Sequence, residues 1–190
     1  MTGRTHDMAA FTALSYILVS TPLPPVSLAT VLVSFTANMI GGLTPDIDQP
    51  TARLWHELPA GSIIGKIVAP LFGGHRFISH SLLGMFIAGV LAKLLLQAMS
   101  TVLLVDMHIV WWAFMVGFIS HLFMDLFTHE GIPLFFPIPI KIGIPPLSLL
   151  RIKTGGIIEK AFVFPGLILM CVYLYYIHYH FVLEFFRHLK

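Results

Sequence analysis

The sequence predicts an all-α integral membrane protein of about five transmembrane helices, and three observations carry that expectation. Hydrophobic residues make up 57% of the 190-residue chain, and Asp, Glu, Lys and Arg only 11%; soluble domains average about 25% charged residues. The mean hydropathy is +0.88. Apolar runs near the roughly 17–25 residues of a spanning helix recur between proline-rich or charged connections. With no long repeat and no low-complexity tail, residues 1–190 read as one multi-pass domain. A net charge of +2, without a basic stripe interleaved with aromatics, argues against nucleic-acid binding. The single cysteine, Cys171, excludes an intrachain disulfide framework and a cysteine-based zinc cage.

The first apolar segment, near 7–20, ends at the proline-rich turn 21–25. Asp7 stands where the apolar core of a signal peptide should begin, and no small-residue cleavage site follows, so this segment is expected to be retained. The second runs from about 26 to 43 and stops at Gly41-Gly42-Leu43-Thr44-Pro45. The third and fourth, near 79–104 and 109–128, are long enough to span. The fifth, near 161–184, carries the interfacial aromatics Tyr173, Tyr175 and Tyr176. Two stretches break the pattern. Residues 49–77 mix Arg53, Trp55, His56 and Glu57 with an apolar piece too short to cross. Residues 131–150 hold five prolines, including Pro139, too many for a helix interior. Both read as interfacial or re-entrant segments.

Five alternating spans gather Arg4, Arg53, Lys66, Arg76, Lys141, Arg151, Lys153 and Lys160 on one face. The other face receives Arg187 and Lys190, which makes the N-terminal face cytoplasmic by the positive-inside rule. The same topology brings four polar clusters to that face: Thr5-His6-Asp7, Pro45-Asp46-Ile47-Asp48, His75-Arg76-Phe77-Ile78-Ser79-His80, and His121 to Asp125 running on to His129-Glu130. Ionisable groups near lipid are costly, so each must have a use.

His121 and Asp125 are four apart on a helix and project from one face, a spacing for two ligands of one metal or for a ligand and its orienting carboxylate. A mutually satisfied pair between helices is the plain alternative. Asp46 and Asp48 repel unless a cation or an arginine intervenes, although exposed loop acids would look the same. His75 and His80 flank Arg76, which could fork a phosphate or carboxylate, or snorkel to the interface. Ser79 or Ser81 suits a helix cap. Glu159, after Gly155-Gly156, could be a ligand, a general base or a salt-bridge partner. Imidazole with carboxylate suits zinc, iron or manganese, and the ligand supply would serve one ion or two.

Thr5-His6, Pro45-Asp46-Ile47-Asp48, His75 to Ser81 and Gly117 to Thr128, with Gly131 to Pro137 beyond, resemble the ordered motifs of the YdjM-like membrane-bound metal-dependent hydrolases. The resemblance covers roughly residues 5–137, with a looser match at Gly155-Gly156 and Glu159. Phe77, Ser79 and His129 depart from the usual glycine, threonine and proline. It implies an inner-membrane protein with hydrolase chemistry, and His6, Asp46, Asp48, His75, His80, His121 and Asp125 as metal ligands. The expected activity is hydrolysis of a phosphoester or other amphipathic lipid through a metal-activated water, zinc first, with Arg76 on the anionic group and Glu159 as base. A metal-ion transporter or a non-catalytic, metal-stabilised membrane protein are the competing readings.

Overall fold

A computed structural model describes residues 1–21, 26–57, 59–68, 76–138 and 140–188. His75 and Pro139, both singled out in the sequence, lie outside the described residues. The regular elements among the described residues are helices: α1 (Gly3–Ser20), α2 (Leu28–Leu43), α3 (Arg53–Glu57), α4 (Gly61–Val68), α5 (Leu82–Met99), α6 (Met107–Leu126), α7 (Phe164–Ile177) and α8 (Tyr179–His188). A 3-10 turn, Thr44–Asp48, continues α2, and a π turn, Glu159–Val163, leads into α7.

Four segments are long and apolar enough to cross a membrane: Leu28–Asp48, Leu82–Met99, Met107–Leu126 and Glu159–Ile177. They correspond to the second to fifth expected spans. The first also forms a helix, the 18-residue α1, but Arg4, His6 and Asp7 make its opening turns too polar for that set. Among the described residues the apolar spans therefore number four, with α1 packed against α2, α6 and α7. Caps fix several starts. Ser27, Ser81 and Asp106 accept from backbone N–H groups in the first turns of α2, α5 and α6.

α6 is the central element, in contact with α1, α2 and α5. Its approach to α2 is close because the contact is glycine on both sides. A Cβ on Gly117 would stand 2.0 Å from the Asn38 carbonyl oxygen, and one on Gly41 2.1 Å from that of Phe114. Asn38 clamps the same seam by donating its side-chain amide to the Ala113 carbonyl at 3.1 Å.

The two irregular stretches contain no spanning helix among the described residues. α3 and α4 occupy part of 49–77, and α4 leaves Ile63, Ile64 and Ile67 exposed. Residues 127–152 fold back through isolated bridges, Thr128 with Ile152 and Ile132 with Ile142. The Arg151 side chain ties that loop by donating to the carbonyls of Pro145 and Pro146, each at 2.7 Å.

Candidate metal centre

The polar clusters meet where α1 begins, α2 and α6 end, and the loop before α5 returns. His6, His80, His121 and Asp125 are buried, and Asp46 is about a quarter exposed.

His121 is oriented by the α2 seam. Its Nδ1 lies 2.6 Å from the Gly42 carbonyl oxygen, an atom that only accepts, so Nδ1 carries the proton and Nε2 the lone pair. Nε2 is buried and has no hydrogen-bond partner among the described residues. His80 is set in the same sense. Ser79 Oγ donates to Asp48 Oδ2 at 2.5 Å and sits 3.0 Å from His80 Nδ1, where it can accept the imidazole proton. Asp48 Oδ2 is 3.5 Å from that same nitrogen, which leaves His80 Nε2 facing inward.

Two carboxylates complete the inner set. Asp46 Oδ1 is 3.6 Å from His80 Nε2 and 3.6 Å from His121 Nε2. Asp125 Oδ2 is 3.6 Å from His80 Nε2 and 3.8 Å from His121 Nε2. A tetrahedral ion with bonds of about 2.0–2.1 Å needs ligand edges of about 3.3–3.4 Å. Four observed distances exceed that by a few tenths of an ångström, so each of these pairs is near the spacing of two ligands on one ion. Two donor groups could hold a metal ion: Asp46, His80 and His121; and His6, His121 and Asp125. His121 belongs to both, and its single lone pair serves one ion at a time. The donors present could serve one ion or two.

The remaining expected residues surround this set. His6 stacks on His121 with ring centroids 3.6 Å apart, and its Nε2 is 3.2 Å from Asp125 Oδ1. The Met1 amine is also 2.5 Å from that oxygen. Asp48 stands behind His80, accepting from Ser79 and from the Arg76 backbone N–H at 2.8 Å. Arg76, at φ 57°, is buried and committed to protein. Its guanidinium reaches Asp125 Oδ2 at 2.7 Å and donates to Thr128 Oγ1 at 2.7 Å. Glu159 is fully buried, and its carboxylate accepts four hydrogen bonds. They come from Thr2 N–H and Oγ1 at 2.7 Å, Thr5 Oγ1 at 2.6 Å and Gly155 N–H at 2.7 Å. With its acceptor sites occupied, Glu159 anchors the turn that carries His6. His129 is exposed, while Glu130 lies 3.8 Å from Arg76 Nε.

Sequence reasoning missed the supports. Thr2 carries no signal of its own, Thr128 and Gly42 stand in quoted motifs without an assigned role, and of the two serines offered as caps Ser81 takes that role. A polar cavity of about 1060 Å³ adjoins the centre, bordered by Asp46, Arg76, Arg4, Arg53, Glu130 and Lys160. Arg53 pairs there with Asp7.

A model of the YdjM inner membrane protein family matches residues 1–184. The chain belongs to that family. A YdjM relative, "Uncharacterized protein YvsG" of Bacillus subtilis (strain 168), is 31% identical over 180 residues, covering 95% of this chain and 98% of that protein. No solved structure matches. Family membership and the four apolar spans make this YdjM protein an integral membrane protein whose His/Asp groups could hold a metal.

Proposed function

We propose that this YdjM-family protein is a metal-dependent hydrolase acting at the cytoplasmic membrane interface on a phosphoester or other anionic, amphipathic lipid. One observation carries the reading. Four donor atoms, from Asp46, His80, His121 and Asp125, converge at ligand spacing beside a polar cavity, and one of the four residues is partly exposed to it. Two imidazoles and two carboxylates suit zinc first, then manganese or iron. A divalent ion bound there supplies a water of pKa about 7 and polarises the scissile bond.

The protein's own groups do the rest. Gly42 and Ser79 hold the two imidazoles with Nε2 inward. Arg76 offsets the charge of Asp125, and the contacts of Arg76 and His6 fix its carboxylate. Arg4 and Lys160, both exposed at the cavity, attract an anionic headgroup. An ion pathway needs ligands spread through the bilayer depth; here they gather at one end of the helices, which favours hydrolysis. Cavity access to Asp46 favours an open site over a closed structural one. The cytoplasmic assignment rests on the lysine and arginine bias of that face.

The test is metal analysis of the purified protein beside Asp46→Asn and His121→Ala, followed by hydrolysis of a panel of phospholipids and polyprenyl phosphates. Metal that falls in both variants, with product release abolished by chelation, supports the proposal. Unchanged metal content, or release indifferent to chelation, overturns it.

A further inference from the structure

The segment Leu43–Asp48 borders two spaces. Leu43 and Asp46 line the polar cavity, whereas Thr44 and Ile47 line an apolar groove of about 520 Å³. The groove runs between α2 and α5, with Phe114 and Phe118 of α6 also lining it. At its near end it reaches Ser79, which bonds Asp48 and adjoins His80. The turns that shape the metal centre therefore also form the end of the groove.

Its length and lining favour an extended hydrocarbon chain. On α5 the lining extends from Gly84 to Met99, about 22 Å at 1.5 Å per residue. That exceeds the roughly 15 Å of hydrocarbon in one leaflet. Apolar side chains line it over that whole length, a surface that an extended hydrocarbon chain covers without leaving a polar group unmatched. The polar lining residues are turned away from any guest. Thr36 and Thr44 donate to the Leu32 and Ile40 carbonyls, and Ser79 donates to Asp48. A peptide or sugar would leave its polar groups unmatched there.

We infer that the α2–α5 groove is the hydrocarbon-chain site of the substrate, a lipid with one long chain and an anionic head that reaches the cavity beside Asp46. The word substrate rests on the hydrolase reading; occupancy by a chain does not. The probe is octadecyl phosphate bearing a diazirine at its chain end, photolysed with the purified full-length protein and mapped by peptide mass spectrometry. Label is expected on the groove faces of α2 and α5 and is displaced by unlabelled octadecyl phosphate. Ala88→Phe with Ala92→Phe, two small lining residues, lowers that labelling about tenfold or more, the loss of roughly two buried methylenes. Leu94→Phe, on an exposed face of α5 outside the groove, leaves it unchanged.

Label spread over all exposed helix faces, or insensitive to competitor in the unmodified protein, overturns the chain site even where the double variant does not fold. Crosslinks to a second chain overturn it in favour of self-association. His121→Ala separates the two proposals. Groove labelling that persists while no lipid is hydrolysed by any form leaves the chain site standing and removes the hydrolase. Metal-dependent hydrolysis without groove labelling does the reverse.

Discussion

His121 Nδ1 lies 2.6 Å from the carbonyl oxygen of Gly42, so the ligand-bearing end of α6 is aligned by the backbone of α2. That contact exists because glycines let the two helices meet. Gly117→Ala would place a methyl 2.0 Å from the Asn38 oxygen and 2.8 Å from the Gly42 nitrogen. Both are backbone atoms, so the helices must part. The expected outcome is a loss of about 1–3 kcal/mol together with reduced metal content in the folded fraction. Thermal unfolding and metal analysis of the variant measure both; a stable, fully metallated Gly117→Ala would falsify the seam's role.

Asp46 and Asp48 are two residues apart but face different nitrogens. Asp46 approaches His80 Nε2 and His121 Nε2, whereas Asp48 sits on the Nδ1 side of His80. Asp46→Asn removes an inner donor and is expected to abolish stable metal binding. Asp48→Asn weakens only the support of His80, and affinity should drop by about 10- to 100-fold, the usual effect of such partners. Titration with a competing chelator ranks the two. Equal losses would show that Asp48 is itself a ligand.

The helices and the one-sided gathering of charge were legible because both follow from simple patterns. Apolar run length marks five segments, four of which are apolar spans among the described residues, and alternation of spans brings His6, Asp46, His80, His121 and Asp125 to one end. What each residue does there was less legible. Sequence spacing puts Asp46 and Asp48 together, but only the 3-10 turn after α2 sends them to opposite sides of His80. The polarity of α1 has the same origin: His6 and Thr5 are buried against α6 and Glu159, a tertiary fact that hydropathy along the chain does not register. Arg76 reads in sequence as a fork for an anion or an interfacial cation, whereas its NH1 and NH2 groups reach Thr128 and Asp125, which lie more than 45 residues away in sequence.

Glu159 provides a third measurement. Four donors converge on its buried carboxylate, so replacing one oxygen with an amide sets N–H against N–H or O–H. Glu159→Gln is expected to cost roughly 1–3 kcal/mol and to loosen the turn bearing His6. Because no inner ligand is lost, the folded variant should bind as much metal as the unmodified protein. A variant of undiminished thermal stability but without hydrolysis would instead return Glu159 to the role of base.

The cations at the cavity separate attraction from architecture. Arg4 and Lys160 are exposed, so neither holds the fold, and each acts on an anionic headgroup through solvent. Arg4→Ala and Lys160→Ala should each raise KM roughly two- to fivefold, as expected for exposed charge pairs, and leave kcat unchanged. The effect should fade with added salt, since charges more than about 8 Å apart are screened near physiological ionic strength. Arg76→Lys should behave differently. Lysine keeps the charge but cannot span Asp125 and Thr128 at once, so Asp125 loses its fixed position and metal affinity falls even without substrate. Steady-state kinetics on an anionic lipid at two salt concentrations, with metal content of each variant alongside, tests the contrast. An Arg76→Lys protein with full metal and only a raised KM would make Arg76 a substrate contact.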